Sequence, residues 1–257
     1  MNENCHDGRF ADRHTGFMLA VIEVQLEIIE LLLQDERIDV NYSNNSDNGY
    51  TAFHWACERG NPEVIELFIK YAKVRNIDLN SQDDDKMTAF SKACGSGHQL
   101  VVSRLIQEND DLEIDANITD IANRNGFIWA CLKGYPNMVD LLLRNAEKLK
   151  INPNHACKDG LTGLMYACQE KQELVVRTFM RHAKSLNIDF NKTDPEGRNA
   201  IILACQGQVK RRIVEAFCTH AKRFNIELYK EDNDGKCAME YAEEQFGSEF
   251  GSDSDFE

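Results

Sequence analysis

Nine cysteines, seven histidines and a surplus of carboxylates are the side chains that could bind a metal, attack a carbonyl or move a proton. Five of the cysteines, Cys57, Cys94, Cys131, Cys168 and Cys205, stand 37 residues apart. A zinc site needs ligands clustered within a few residues, and this series has none. Such cysteines are expected to pack as small buried apolar residues. His155-x-Cys157 is a lone short pair in a turn, and His54 lies one helical turn from Cys57. Asp232-Asn233-Asp234-Gly235 resembles the opening of a calcium loop, but position twelve would be Glu243, inside a terminal helix. It and Asp83-Asp84-Asp85 are expected to be solvated turns. Phosphate loop, nucleophile elbow and dinucleotide fingerprint are all missing. No catalytic residue, metal or cofactor is therefore expected.

The cysteine spacing leads to the elements that carry it. Each of the five follows an alanine (Ala56, Ala93, Ala130, Ala167, Ala204). Three residues upstream of the alanine stands Phe53, Phe90, Phe127, Leu164 or Ile201. An aliphatic cluster follows, such as Val64-Ile65 with Leu67-Phe68-Ile69. Each unit reads as two helices. Thr51, Thr88, Asn125, Thr162 and Asn199 cap the first by accepting from its exposed amides. Gly60, Gly97 and Gly134 close it, since glycine tolerates the left-handed cap. Pro62 and Pro136 open the second helix, whose apolar residues fall three and four apart on one buried stripe.

These units resemble the ankyrin repeat, with Thr51-Ala52-Phe53-His54-Trp55-Ala56 and Ile38-Asp39-Val40-Asn41 as the closest copies. The resemblance spans roughly residues 15–245 and implies an all-α fold, an ankyrin-type solenoid of antiparallel helix pairs with projecting turns. The period is 37 rather than the family's 33, and the four added residues fall at the end of the second helix. Four residues make about one helical turn, so Tyr71-Ala72-Lys73-Val74 and His182-Ala183-Lys184-Ser185 are expected to lengthen that helix. The motif's histidine, which in the family ties one turn to the next, survives only as His54.

The solenoid is expected over 15–246, with a flexible segment at 1–14 and a disordered acidic tail at 247–257. In that tail Ser252 and Ser254 each have an acidic residue three positions on, the pattern acidophilic kinases prefer. A net charge of −14 argues against nucleic acid as partner. Lys210-Arg211-Arg212 and Lys222-Arg223 are expected to be solvated helix faces. No run approaches the ~20 apolar residues of a membrane span. Without an export signal, nine cysteines read as reduced thiols of the cytosol or nucleus, in a chain expected to be monomeric.

What remains is surface. Resemblance to the ankyrin family places contacts at the residue before each cap and at the two residues after the Ala-Cys pair. Here these are Tyr50, Met87, Arg124, Leu161 and Arg198, with Glu58, Arg59, Leu132, Lys133 and Glu170 behind them. The resemblance also makes Asn41, Asn80, Asn117, Asn154 and Asn191 turn positions open to asparaginyl hydroxylation. The expected function is a non-enzymatic adaptor that holds another protein on the inner face and turns. The alternative is a stoichiometric inhibitor of a transcription factor, like the inhibitor-of-NF-κB family, although that family's Asp-Ser-Gly degron is missing before residue 15.

Overall fold

The computed structural model describes residues 14–44, 48–207 and 211–247. Ser252, Ser254, the 1–13 segment and most of the acidic tail lie outside the described residues. Among the described residues there are fourteen helices, and the extended pairings are isolated antiparallel bridges at the turn tips.

The chain divides into two compact units, 1–121 and 122–257. The first holds α1 (Gly16–Ile22), α2 (Leu26–Gln34), α3 (Ala52–Arg59), α4 (Pro62–Tyr71), α5 (Ala89–Ser96), α6 (Gln99–Gln107) and the short α7 (Asn109–Leu112). The second holds α8 (Gly126–Lys133), α9 (Pro136–Arg144), α10 (Gly163–Gln169), α11 (Glu173–His182), α12 (Ala200–Gln206), α13 (Arg211–Phe224) and α14 (Ala238–Phe246). Within each unit first helices stack on first helices and second on second: α1, α3 and α5 form one row, α8, α10, α12 and α14 another.

The caps fall where the sequence puts them. Thr51, Thr88, Asn125, Thr162 and Asn199 each accept from the amide three residues on. Gly60 closes α3 at φ +71 in close approach to the His98 ring, a place that no Cβ could share. The Ala-Cys pairs are buried between stacked first helices, and burial pushes the Cys205 thiol up to about 12, so these thiols are poor nucleophiles at neutral pH.

The added residues do not simply lengthen the second helix. After α4 the backbone keeps one helical bond, Arg75 N–H to Tyr71 C=O at 2.9 Å, and then turns left-handed at Asn76 (φ 48). Ile77 N–H reaches back to Ala72 C=O at 2.9 Å, closing a Schellman-type turn with Ile77 and Ala72 both buried. Lys150 and Asn187 repeat it, with Ile151 bonded to Ala146 and Ile188 to Ala183. Asn109 replaces the alanine in the third copy, and its side chain takes the Ile114 amide at 2.7 Å. Among the described residues, only α13 runs through as a continuous helix of 14 residues before closing at Asn225.

His54 is fully buried. Its Nε2–H donates to Met87 C=O at 3.1 Å, and Nδ1 accepts from Thr51 N–H at 3.2 Å, which fixes the neutral tautomer. Burial therefore holds its pKa below the ordinary value. The unfolded chain then binds a proton near pH 6.5 that the folded chain refuses. The His54 contribution is complete above about pH 6.5 and is lost as pH falls toward the folded pKa. Urea midpoints measured from pH 7.5 to 5.5 should fall, and His54→Gln should flatten that part of the profile.

Candidate functional site

Turn tips and first helices are positioned by three ladders. In the first, the turn asparagines Asn41, Asn80, Asn154 and Asn191 each bond the next repeat. Asn41 Nδ2 donates to Asn76 C=O at 2.9 Å, and its Oδ1 accepts from Asp78 N–H at 2.8 Å. Asn80 does the same with Glu113 and Asp115, Asn154 with Asn187 and Asp189, and Asn191 with Asn225 and Glu227. Asn117 N–H donates to Asp115 at 2.9 Å. The left-handed closures described above supply the carbonyls for these bonds, so the added residues and the turns form one device.

The second ladder corrects the expectation of solvated carboxylates. Asp83 and Asp232 are buried, as are Asp120 and Asp194. Each sits at the base of a turn tip, where a carboxylate satisfies backbone donors that water cannot reach. Asp83 Oδ1 accepts from Met87 N–H at 2.7 Å, Asp194 from Arg198 N–H at 2.8 Å and Asp232 from Lys236 N–H at 3.1 Å. Asp83 Oδ2 also faces the Lys92 ammonium at 2.8 Å. Burial works against that ammonium, but hydrogen bonds to Asp83 and Tyr50 outweigh it and hold its pKa above the ordinary value.

The expectation for Tyr50 and Met87 also needs correcting. They are only 6% and 8% exposed, too little to anchor a partner. Tyr50 stacks on His54 at 5.6 Å and lies under Lys92 Nζ at 4.6 Å, while the Met87 carbonyl is held by His54. They brace the turns. Arg59, Lys133 and Glu170 are exposed, whereas Glu58, Arg124, Leu132, Leu161 and Arg198 are half-buried. Arg198 is turned back onto Asp194, with Nε at 2.8 Å from the carboxylate. His155 and Cys157 also have local partners, the Asn123 carbonyl at 2.9 Å and the Tyr166 hydroxyl at 3.3 Å.

The third ladder was missed in the sequence reading. One residue after the motif histidine position stand Leu19, Trp55 and Lys92 in the first unit, and Trp129, Tyr166 and Leu203 in the second. The two tryptophans, the only two in the chain, are half-buried. Trp55 packs against Tyr50 at 5.0 Å, with the Arg59 guanidinium 5.6 Å from its ring, on a recess of ≈ 400 Å³ shared with Asn48 and Glu58. Trp129 has Arg124 at 4.2 Å and Lys133 at 5.7 Å from its ring. In the same unit Leu132 and Leu161 rest on a cluster of Ile128, Cys157 and Tyr166. The signal was available, since both tryptophans share one register 74 residues apart.

A family model described as Ankyrin repeats (3 copies) matches residues 17–120, 74–154 and 112–194. Among solved structures, the chain is similar to the ankyrin repeat domain of Bcl-3, described as a unique member of the IκB protein family. That likeness has 24% identity and a TM-score of 0.65, over 79% of this chain and 81% of the other. The ankyrin repeat domain of human ASB11 is similar over 89% of this chain and 92% of its own, at 16% identity and a TM-score of 0.69. A search of curated proteins gives no match.

Proposed function

This chain belongs to the ankyrin-repeat family, and on that premise we propose that it is a non-enzymatic module holding another protein on its first-helix face. The observation that carries the proposal is the tryptophan register. Each unit presents a half-buried indole with a cationic side chain beside its ring. Tryptophan, tyrosine and arginine are the types that dominate binding energy at interfaces, because they bury much area and keep a polar handle. Arg59 and Lys133, exposed beside those rings, favour carboxylates on the partner. Glu58 in the first unit, and Arg124, Leu132, Leu161, Glu170 and Arg198 in the second, are further contact positions on the same proposal. No helix among the described residues is long and apolar enough to cross a membrane. Free, buried cysteines support placing it in the cytosol or nucleus, and a monomer is part of the same proposal.

Inhibition of a transcription factor is a special case of the same docking, which the identity of a captured partner decides. Hydroxylation of Asn41, Asn80, Asn117, Asn154 or Asn191 is a further proposal. For Asn41, Asn80, Asn154 and Asn191 it requires the turn to open, since both ends of the amide are occupied.

The test is calorimetric titration against a partner obtained by affinity capture. Trp55→Ala or Trp129→Ala should each lose at least ~2 kcal/mol of binding. Glu63→Ala, on the exposed side of α4, should bind like the parent. Normal binding by both tryptophan variants would remove the first-helix face from the account.

A further inference from the structure

The outer side of the second unit carries a feature that the docking face does not use. Arg177, Met180 and Arg181 on α11 and His220 and Arg223 on α13 line one recess of ≈ 260 Å³. Three guanidiniums and an imidazole converge there in a chain whose net charge is −14. Glu173 offsets Arg177, but Asp140 is shared between Arg181 and Arg144 and Arg223 adds a further cation, so the recess keeps a positive excess that an anion would relieve.

The arginines are also held in place. Arg177 Nε is tied to Glu173 at 3.1 Å, and Arg181 bonds Asp140 at 3.0 Å and Thr178 Oγ1 at 3.2 Å. Arg223 lies 5.1 Å from the Phe224 ring, against which His220 also packs edge-on at 5.6 Å. Arg223 has no carboxylate partner among the described residues. A guanidinium carries five N–H donors, so Arg177 and Arg181 keep free donors after these bonds. Anchoring at one end lowers the entropy lost when the other end takes a ligand. Met180, buried, gives the recess an apolar floor.

We propose that this recess is a binding site for a phosphoryl group, taken as a phosphorylated serine or threonine side chain. A phosphoryl dianion offers several acceptor oxygens to forked donors, where a lone carboxylate offers two. Arg223 is exposed, as expected of a solvated face, and on this proposal it takes a ligand as well. The acidic serines of this chain's own 247–257 segment supply a probe of the right chemistry.

The experiment uses the full chain and a fluorescent peptide copying residues 247–257, phosphorylated at Ser252 and Ser254, with the unphosphorylated peptide beside it. Anisotropy should show the phosphopeptide bound at least about tenfold more tightly, the range expected for charge-assisted hydrogen bonds. Arg223→Gln and Arg177→Gln should each weaken it about tenfold, with melting curves confirming the fold. Trp129→Ala should leave it unchanged, which separates this site from the docking face. Inorganic phosphate should compete at millimolar concentration. If phosphate competes but the phosphopeptide binds no more tightly than phosphate, the site stands with the free ion as its ligand. Equal affinity for the two peptides without competition by phosphate, or full binding by both folded arginine variants, would overturn the proposal.

Discussion

Phe127→Ala should cost ~3–5 kcal/mol, among the largest losses open to a single substitution here. The Phe127 ring is 1% exposed and meets Phe179 edge-on at 5.7 Å, joining the first and second helices of adjacent repeats. Its edge also lies close to the Cα of Gly163, so closely that a Cβ there would crowd Phe127 and Cys131. The glycine already lets that helix pack closely, so little collapse into the cavity left by the ring is expected. Repeats lean only on their neighbours, so the loss should loosen the second unit rather than stay local. Phe127→Leu should recover much of it, since Leu164 already fills this register one repeat on. Urea unfolding followed by far-UV circular dichroism measures both; a Phe127→Ala loss under 1 kcal/mol would contradict the packing described.

Asp83→Ala should cost a comparable ~3–5 kcal/mol through electrostatics. Its side chain is fully buried against Lys92, itself only 12% exposed. Removing the carboxylate strands an ammonium over Tyr50 and frees the amide of Met87, the residue whose carbonyl accepts from His54. Asp83→Asn keeps an acceptor for that amide while losing the charge, and should fall between. Replacing both partners, as Asp83→Asn with Lys92→Met, should return most of the stability, because the Met87 amide keeps an acceptor and no charge is left unpaired. A double-mutant cycle by denaturant titration checks this; additive losses without coupling would show that the pair does not act as a unit.

The repeat, its caps and its core were legible because each depends on local rules that recur 37 residues apart. Thr51 or Asn125 can be read as caps, and Phe53 or Cys57 as core, without knowing what they touch. The added residues were misread because helical spacing does not reveal where a chain turns left-handed. Asn76, Asn187 and Asn225 tolerate that conformation, but Glu113 and Lys150 adopt it with no signal in their type. Burial of Asp83 and Asp194 was hidden for a related reason. An acidic turn looks solvated until the backbone donors beneath it are known. Tyr50 was placed outside by its family position, yet Trp55 and Lys92 close over it. Trp55 and Trp129 are half-buried, one residue beyond the motif position, where helical periodicity points neither to core nor to open surface.

Fluorescence offers the most direct measurement of the central claim. The chain has only two tryptophans, and each lies on the proposed docking face of its own unit. Acrylamide should quench their emission in the free chain, as expected for half-buried indoles. Addition of the captured protein partner, labelled with a tryptophan analogue that emits elsewhere, should protect them and shift the emission to shorter wavelength. Trp55→Phe and Trp129→Phe, each leaving one reporter, assign the protection to one unit or to both. The account predicts protection of at least one indole at partner concentrations that saturate binding. Quenching and wavelength that stay unchanged at saturation, for both single-tryptophan variants, would contradict it.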